Sequence, residues 1–111
     1  MTAINIVRQP KQILVMTDGA GYLPTGELMS IASKLYPVPS WPGIVTGRGP
    51  VLAPALLGQN LAYLFATFDE MVEGAADALP AIIETCSNLM QSGTIELVIA
   101  GFSQSRNRPE T

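Results

Sequence analysis

The most constraining feature of the sequence is a long helix with a well-marked start. Thr67 and Glu70 stand three residues apart, the spacing of a capping box, in which each side chain bonds a free backbone N–H of the first turn. The apolar residues that follow keep the 3.6-residue period of an α-helix. They are Phe68, Met71, Val72, Ala75, Ala76, Leu79, Ile82, Ile83, Cys86, Leu89 and Met90. Pro80 falls on the polar side and is predicted to kink the helix, and Gly93 is the predicted C-terminal cap.

A shorter helix is predicted directly before this one. Residues 47–50 read Gly-Arg-Gly-Pro, and a proline is favoured at the first helical position because its missing N–H costs nothing there. Residues 51–65 are apolar on nearly every side, which is typical of a helix buried all round.

Strands are predicted before the helix pair. Residues 2–7 and 12–17 form a β-hairpin in this interpretation, with Pro10 in the connection because proline cannot donate to a sheet. Residues 18–26 are dense in turn formers and are predicted to be a loop. Two more strands follow, over residues 28–36 and 43–46.

One strand is predicted after the helices, over residues 95–102, and its continuous apolar run indicates burial on both faces. Residues 103–111 are polar and are expected to form a loose tail. The order of elements indicates an antiparallel sheet layered under a helix pair, and therefore the α+β class. At 111 residues the chain is expected to form a single domain.

The composition bears on partners and location. Hydrophobic residues make up 48% of the chain and charged residues 14%, so we expect an apolar face to be covered by another copy, which gives a homo-oligomer, or by chain that is absent here. The net charge is −3, and Arg106 with Arg108 is the nearest approach to a basic cluster, so no nucleic-acid partner is expected. No apolar run approaches the ~20 residues of a membrane span. The absence of a signal-peptide pattern and the single cysteine, Cys86, predict a cytoplasmic protein.

The residue types exclude several classes of site. The chain has no histidine, so catalytic groups of the Ser-His-Asp and Cys-His kinds are excluded. It has no cysteine and histidine cluster for zinc and no acidic cluster with calcium-loop spacing. The glycines of residues 19–21 and 47–49 complete neither a dinucleotide fingerprint nor a phosphate-binding loop, and are interpreted as turns. No cofactor and no metal are therefore expected. Cys86 is interpreted as a core residue, and Trp41 as a residue of the core edge or of an interface.

Thr2 is the candidate nucleophile, because a threonine at a free N-terminus can use its own α-amino group as general base. That amine has an ordinary pKa of about 7.7–8.0, close to neutrality. A neighbouring cation would favour its neutral, basic form, and Lys34 is the candidate. Asp18 would hold that cation, and the backbone N–H at Gly49 would receive the oxyanion. Positions 2, 18 and 34 are evenly spaced, sixteen residues apart.

Thr2, Asp18 and Lys34 resemble, in type and spacing, the nucleophile, aspartate and lysine of proteasome β-type subunits, which are N-terminal-nucleophile (Ntn) hydrolases. Residues 16–20 resemble the strand-ending aspartate motif of that family, and residues 47–50 its oxyanion glycine turn, with one residue inserted before it. The resemblance implies the first half of an Ntn α/β/β/α sandwich, with antiparallel strands and one helix pair. It also implies a threonine-type amidohydrolase or peptidase acting on a peptide or amide substrate.

A second hypothesis is a non-catalytic, oligomeric assembly protein that retains the Ntn scaffold. Ala20 stands where the family usually has an arginine, and the strands and helices of the family's C-terminal half are not in this sequence. With Met1 in place, the amine of Thr2 belongs to a peptide bond and cannot act as a base. Each candidate also has a structural interpretation: Thr2 as an ordinary strand residue, Asp18 as a turn residue, Lys34 as a solvated lysine and Gly49 as a helix-entry glycine.

Overall fold

The computed structural model describes residues 2–88 and 94–111 and has antiparallel sheets and two helices. This confirms the α+β class. The elements in chain order are β1 (Ile4–Arg8), β2 (Ile13–Thr17), β3 (Ala20–Tyr22), β4 (Leu28–Ile31), β5 (Tyr36–Val38), β6 (Gly43–Arg48), α1 (Ala53–Leu64), α2 (Phe68–Thr85), β7 (Glu96–Ser103) and β8 (Arg108–Glu110).

The main sheet has four strands in the order β5-β6-β7-β8, all antiparallel. Both of its edge strands have a proline at their centre, Pro37 in β5 and Pro109 in β8. Proline has no N–H to offer a further strand, so it is tolerated at an edge and discourages extension of the sheet. Pro37, which directly follows the predicted strand over residues 28–36, lies inside β5.

Helices α1 and α2 cover one face of the main sheet, and the core lies between these layers. Val45 of β6 lies against Gly58 of α1, and the ring of Phe68 in α2 lies against Gly101 of β7. The rings of Trp41 and Phe68 are 6.2 Å apart between centroids, so Trp41 is a core residue. The buried apolar cluster comprises Val38, Trp41, Val45, Ala53, Leu57, Leu61, Phe68, Met71, Ile82 and Cys86. The predicted core position of Cys86 is confirmed.

Helix α1 is shorter and less buried than predicted. It begins at Ala53, with Pro54 in its first turn, whereas Pro50 lies in the preceding turn and its carbonyl accepts from the Ala53 N–H at 3.1 Å. Only one side of the helix is buried, and Tyr63 and Leu64 are exposed at its end. The prediction that this helix is buried on every side was wrong. A helix that packs on one face of a sheet buries only the side that contacts its neighbours.

Helix α2 begins as predicted. The Thr67 hydroxyl accepts from the Glu70 N–H at 3.1 Å, and the Glu70 carboxylate accepts from the N–H of Ala66, one residue before the expected partner. The helix continues through Pro80 but ends at Thr85, so its predicted extent was too long. The predicted stripe residues Leu89 and Met90, and the predicted cap Gly93, lie outside the described residues.

The segment expected to be a loose tail forms β8, which pairs with β7. Ser103 is fully buried, and its hydroxyl donates to an Asp69 carboxylate oxygen at 2.6 Å and accepts from the Arg106 N–H at 3.2 Å. Arg106 also pairs with Asp69 and with Glu110. These bonds fix the β7–β8 turn to the start of α2. They also lower the pKa of Asp69, with the Ser103 hydroxyl as the largest cause.

Two small hairpins accompany the main sheet. Strands β1 and β2 form the predicted hairpin, with Pro10 in its connection. Residues 20–22, predicted to lie in a loop, form β3, and the predicted strand over residues 28–36 is divided into β4 and β5. β3 pairs with β4 antiparallel.

Strand β7 is half-buried over most of its length, because one of its faces is not covered by the helices. The prediction that it is buried on both faces was wrong.

Candidate functional site

The hairpin β1–β2 brings Asp18 beside the N-terminal segment. Its register places Ile4 opposite Thr17, so the next position on each strand places Ala3 opposite Asp18. The Asp18 N–H donates to the Ala3 carbonyl at 3.3 Å, and the Ala3 N–H donates to Asp18 Oδ2 at 2.8 Å. Asp18 is therefore held by both its backbone and its carboxylate next to Thr2.

Lys34 lies in the connection between β4 and β5, not on a strand as predicted. The hairpin β3–β4 returns the chain toward Asp18, and the Ala32 N–H donates to the Gly19 carbonyl at 2.8 Å. The Ser33 hydroxyl lies 3.3 Å from both the N–H and the carbonyl oxygen of Leu35, the residue beyond Lys34. These local bonds shape the backbone on both sides of Lys34. The prediction that Lys34 lies on a strand was wrong, because residues 32–35 connect hairpin β3–β4 to strand β5 of the main sheet.

The side chain of Lys34 contacts the side chains of both Asp18 and Thr2. Lys34 Nζ forms a salt bridge with Asp18 Oδ1 and donates to Thr2 Oγ1 at 3.3 Å. The side chain of Lys34 is 19% exposed and that of Asp18 is 36% exposed. Lys34 therefore bridges the carboxylate and the threonine hydroxyl in a partly shielded position, where the ammonium is less screened than at an open surface.

The Asp18 carboxylate is strongly stabilised in its charged form. The Lys34 ammonium, as the largest cause, and the Ala3 N–H lower its pKa from 3.8 to about 2. The backbone N–H of Ala20 is a further donor, at 3.3 Å from Oδ1. Asp18 thus carries a full negative charge at neutral pH and keeps the Lys34 ammonium in place.

Gly49 lines the same cleft as Thr2 and Lys34, a space of about 140 Å³. Its φ of +118° is a conformation that favours glycine, and a Cβ there would stand 2.6 Å from the Thr94 carbonyl oxygen. The fold therefore requires glycine at this position, immediately before the turn that leads into α1. Thr2, Lys34 and Gly49 thus line one cleft, whereas Asp18 is not part of its lining and is joined to it through the salt bridge with Lys34.

The other residues of this cleft come from the elements that frame it. Gly47 at the end of β6 and Pro54 in the first turn of α1 close one side. The rest of the lining is Gly19, Ala20, Gly21, Tyr22, Ser30, Ala32, Ser33, Tyr36, Pro50 and Val51. Most of these side chains are small, which leaves open space beside the Thr2 hydroxyl.

Two larger clefts, of about 440 and 540 Å³, have no charged side chain in their lining, and a further one, of about 380 Å³, is lined by Arg8, Arg108 and Glu110 among others. The first lies between hairpin β1–β2 and the main sheet, and the second between β5 and α1. Size alone would favour the first two as binding sites, but their linings contain no charged group that could assist acid–base or nucleophilic chemistry. The cleft at Thr2 is smaller, yet the Lys34 ammonium in its lining contacts the Thr2 hydroxyl and is paired with the Asp18 carboxylate.

Sequence reasoning missed the backbone donors of this site. The N–H groups of Ala3 and Ala20 bind the Asp18 carboxylate. The Ser33 hydroxyl bonds the backbone of Leu35, the residue after Lys34. Alanine carries no side-chain signal for such a role, since only the hairpin register decides which N–H faces the carboxylate. Ser33 could have been found, because serine hydroxyls frequently bond the backbone two residues on.

The described residues contain no group of three or more histidine, cysteine, aspartate or glutamate side chains that could hold a metal ion. In residues 2–88 and 94–111, neither helix is long and apolar enough to cross a membrane. Comparison of the chain with protein-family models, with curated proteins and with solved structures gave no match.

Proposed function

We propose that the chain is a threonine-type N-terminal-nucleophile amidohydrolase or peptidase that cleaves a peptide or amide bond at Thr2. The observation that carries the proposal is the position of Lys34 Nζ, 3.3 Å from Thr2 Oγ1 and paired with Asp18. An ammonium fixed beside a threonine hydroxyl stabilises the alkoxide character that develops as the oxygen attacks a carbonyl carbon.

In the first half of the reaction, Thr2 Oγ1 attacks the carbonyl carbon and its proton passes to the α-amino group of Thr2. That amine is free once Met1 has been removed, and the nearby Lys34 charge favours its neutral form. The carbonyl oxygen becomes an oxyanion, which the backbone N–H at Gly49 would receive. When the tetrahedral intermediate collapses, the C–N bond breaks and the leaving amine takes the proton from the α-ammonium group.

In the second half, a water molecule attacks the ester that now joins the acyl group to Thr2 Oγ1. The α-amino group accepts a proton from this water and returns it to Oγ1 as the ester bond breaks. A carboxylic acid leaves and Thr2 is regenerated. Asp18 exchanges no proton in either half, and its role is to position Lys34.

The arrangement of the elements supports an Ntn-type α/β/β/α sandwich of which this chain supplies one part. A helix pair covers one face of an antiparallel sheet, and hairpin β1–β2, which carries the nucleophile, lies across a cleft from the other face. In such a sandwich the second sheet lies on the side of the first that the helices do not cover, and the hairpin lies on that side.

Intact-mass spectrometry of the protein from its native source tests the proposal. A peptidyl epoxyketone is a suitable probe, because it forms a stable ring only with a neighbouring hydroxyl and free amine. The expected result is loss of the Met1 mass and one adduct per chain. Thr2→Ala should abolish the adduct, whereas the control Thr25→Ala, in the exposed turn between β3 and β4, should keep it. A protein that has lost Met1 and still forms no adduct would overturn the proposal.

A second candidate function is a non-catalytic assembly protein built on the same scaffold. The observation that favours it is the large number of exposed apolar side chains on the strands, which an interface would cover. They include Leu14, Met16, Leu28, Met29 and Ile31. Under this proposal native protein retains Met1, Thr2 forms no adduct, and the salt bridge between Lys34 and Asp18 serves only to fix the β4–β5 connection to β2.

A further inference from the structure

Hairpin β1–β2 stands apart from the main sheet. Within residues 2–88 and 94–111, β1 and β2 pair only with each other. A two-stranded hairpin is marginally stable in water unless further strands or a helix support it. An apolar cleft of about 440 Å³ separates this hairpin from the main sheet, with Ile13 and Val15 on the hairpin side. The hairpin therefore lacks support of the kind that strands usually need.

The backbone bonds of the hairpin show which groups of β2 point away from β1. At one end the Gln9 N–H donates to the Gln12 carbonyl, and at the other the Asp18 N–H donates to the Ala3 carbonyl. Antiparallel pairs alternate between bonded and non-bonded, so the N–H groups of Leu14 and Met16 face β1. Those of Ile13, Val15 and Thr17 face outward from the hairpin. These three residues define what we call the β2 edge.

The β2 edge has none of the features that usually protect an exposed strand. Strand β2 reads Ile-Leu-Val-Met-Thr and contains no charge, proline or glycine. By contrast, both edge strands of the main sheet contain a proline, and β1 contains Asn5 and ends in Arg8. Leu14 and Met16 are 44% and 50% exposed on the hairpin face that points away from the main sheet. Of these strands, β2 is the one best suited to accept another strand.

The exposed area of the chain is large for its mass. A compact monomer of 11.8 kDa exposes about 5,900 Å². This chain exposes 7183 Å², an excess of about 1,300 Å² over that expectation. The radius of gyration, 14.3 Å, also exceeds the about 13 Å of a compact chain of this length. A standard interface buries about 800 Å² on each partner, so the excess over the whole chain is larger than one partner's share of such an interface.

We infer that the β2 edge pairs with the β2 edge of a second copy of this chain. The two strands run antiparallel about a two-fold axis and form a four-stranded sheet in the order β1-β2-β2-β1. Antiparallel pairing suits a two-fold axis, because each strand then presents the same groups to the other. Strand β2 is also uncharged, so no like charges face each other across the axis.

Sedimentation equilibrium at 1–100 µM tests this inference with two matched variants. Leu14 and Val7 are cross-strand partners on one face of the hairpin and are 44% and 40% exposed, but only Leu14 lies on the strand at the axis. The wild type should have a mass of about 24 kDa, twice 11.8 kDa. Leu14→Lys should raise the dimer dissociation constant about tenfold or more, since it replaces an apolar contact by two like charges. Val7→Lys should change it much less.

A third variant blocks the backbone directly. Val15→Pro removes an N–H of the β2 edge and none of the bonds to β1, so it should give a monomer with an unchanged circular dichroism spectrum. If Val15→Pro fails to fold, the comparison of Leu14→Lys with Val7→Lys still decides the question. A wild-type monomer at 100 µM overturns the inference. So does equal weakening by the two lysine variants, which would indicate contact through the hairpin face, or a dimer that neither variant weakens. None of these readouts depends on whether Thr2 reacts.

Discussion

The ammonium group of Lys34 lies 3.3 Å from the hydroxyl oxygen of Thr2, although the two residues are 32 positions apart in the chain. The same ammonium forms a salt bridge with Asp18, whose carboxylate also binds the N–H of Ala3, the residue after Thr2. The three side chains thus form one unit, in which Asp18 fixes the charge of Lys34 beside the hydroxyl. This unit is the basis of the first two predictions.

The first prediction concerns the reactivity of Thr2 after removal of Lys34. Lys34→Met keeps the length of the side chain and removes its charge, so under the proposed function the hydroxyl loses the cation that would stabilise its developing negative charge. We expect the rate of adduct formation with the epoxyketone to fall by at least about 100-fold. Intact-mass spectrometry of samples quenched at successive times, on protein with a free Thr2 amine, measures that rate.

Lys11 is the other lysine of the chain and lies in the exposed connection between β1 and β2, so it supplies the matched control. Lys11→Met makes the same chemical change outside the cleft and should leave the rate unchanged. An equal loss of rate in both variants would show that Lys34 has no specific role at Thr2.

The second prediction concerns the dependence of stability on pH. Asp18 has a pKa of about 2 in the folded chain against an ordinary value of 3.8. A lowered pKa means that its contribution to stability is fully present above about pH 4 and is lost as pH falls through 2. The difference in melting temperature between wild type and Asp18→Asn should therefore be constant above pH 5 and shrink between pH 4 and 2.

Thermal melts at half-unit intervals of pH measure this difference. Asp77→Asn, on the exposed surface of α2, serves as the comparison. A difference for Asp18→Asn that stays the same down to pH 2 would contradict the salt bridge with Lys34.

The third prediction concerns the loss of folding stability when Gly49 is replaced by alanine. It separates the strain of a positive φ from the steric clash of a Cβ with the Thr94 carbonyl oxygen. Gly26 and Gly49 both have a positive φ, but a Cβ at Gly26 meets no atom within 4 Å, whereas at Gly49 it meets the Thr94 carbonyl oxygen. Gly26→Ala should cost about 1 kcal/mol from the backbone conformation. Gly49→Ala should cost about 2–3 kcal/mol, because the carbonyl must also move. Urea unfolding measures both, and equal values would show that the close contact at Gly49 is not present.

The fourth prediction concerns a buried hydroxyl. Thr46 on β6 is fully buried, and its Oγ1 has no hydrogen-bond partner among the described residues. Thr46→Val replaces the hydroxyl by a methyl group of similar size and should stabilise the fold by about 1 kcal/mol. The same change at Thr67 removes the cap of α2 and should destabilise it by about 1 kcal/mol. Urea unfolding measures both, and a loss of stability in Thr46→Val would indicate that this hydroxyl has a partner.

Local sequence patterns correctly predicted the elements that depend on contacts between residues close together in the chain. The hairpin β1–β2 followed from two apolar runs with Pro10 between them, and the start of α2 followed from Thr67 and Glu70. Strand β6 and most of β7 were also predicted near their observed bounds. Each of these signals lies within a few residues of the element that it marks, so no knowledge of distant contacts was needed.

Predictions that depended on distant contacts were less accurate. Burial around α1 was overestimated because an apolar sequence does not say how many faces will be covered, and Tyr63 is 90% exposed. The C-terminal residues form β8 because Ser103 and Arg106 bond Asp69, which lies more than 30 positions earlier. Lys34 lies between strands because the chain must pass from hairpin β3–β4 to the main sheet.

The sequence by itself determined the α+β class, the hairpin β1–β2, the start of α2 and the residue types available for chemistry, because these depend on composition and short-range periodicity. Only the tertiary structure decided that Lys34 reaches both Asp18 and Thr2, and that the N–H groups of Ala3 and Ala20 complete the carboxylate site. It also decided which apolar residues are exposed. The physical reason is that hydrogen bonds and salt bridges act over a few ångströms, so they depend on the register of strands and the path of turns, which local sequence constrains only weakly.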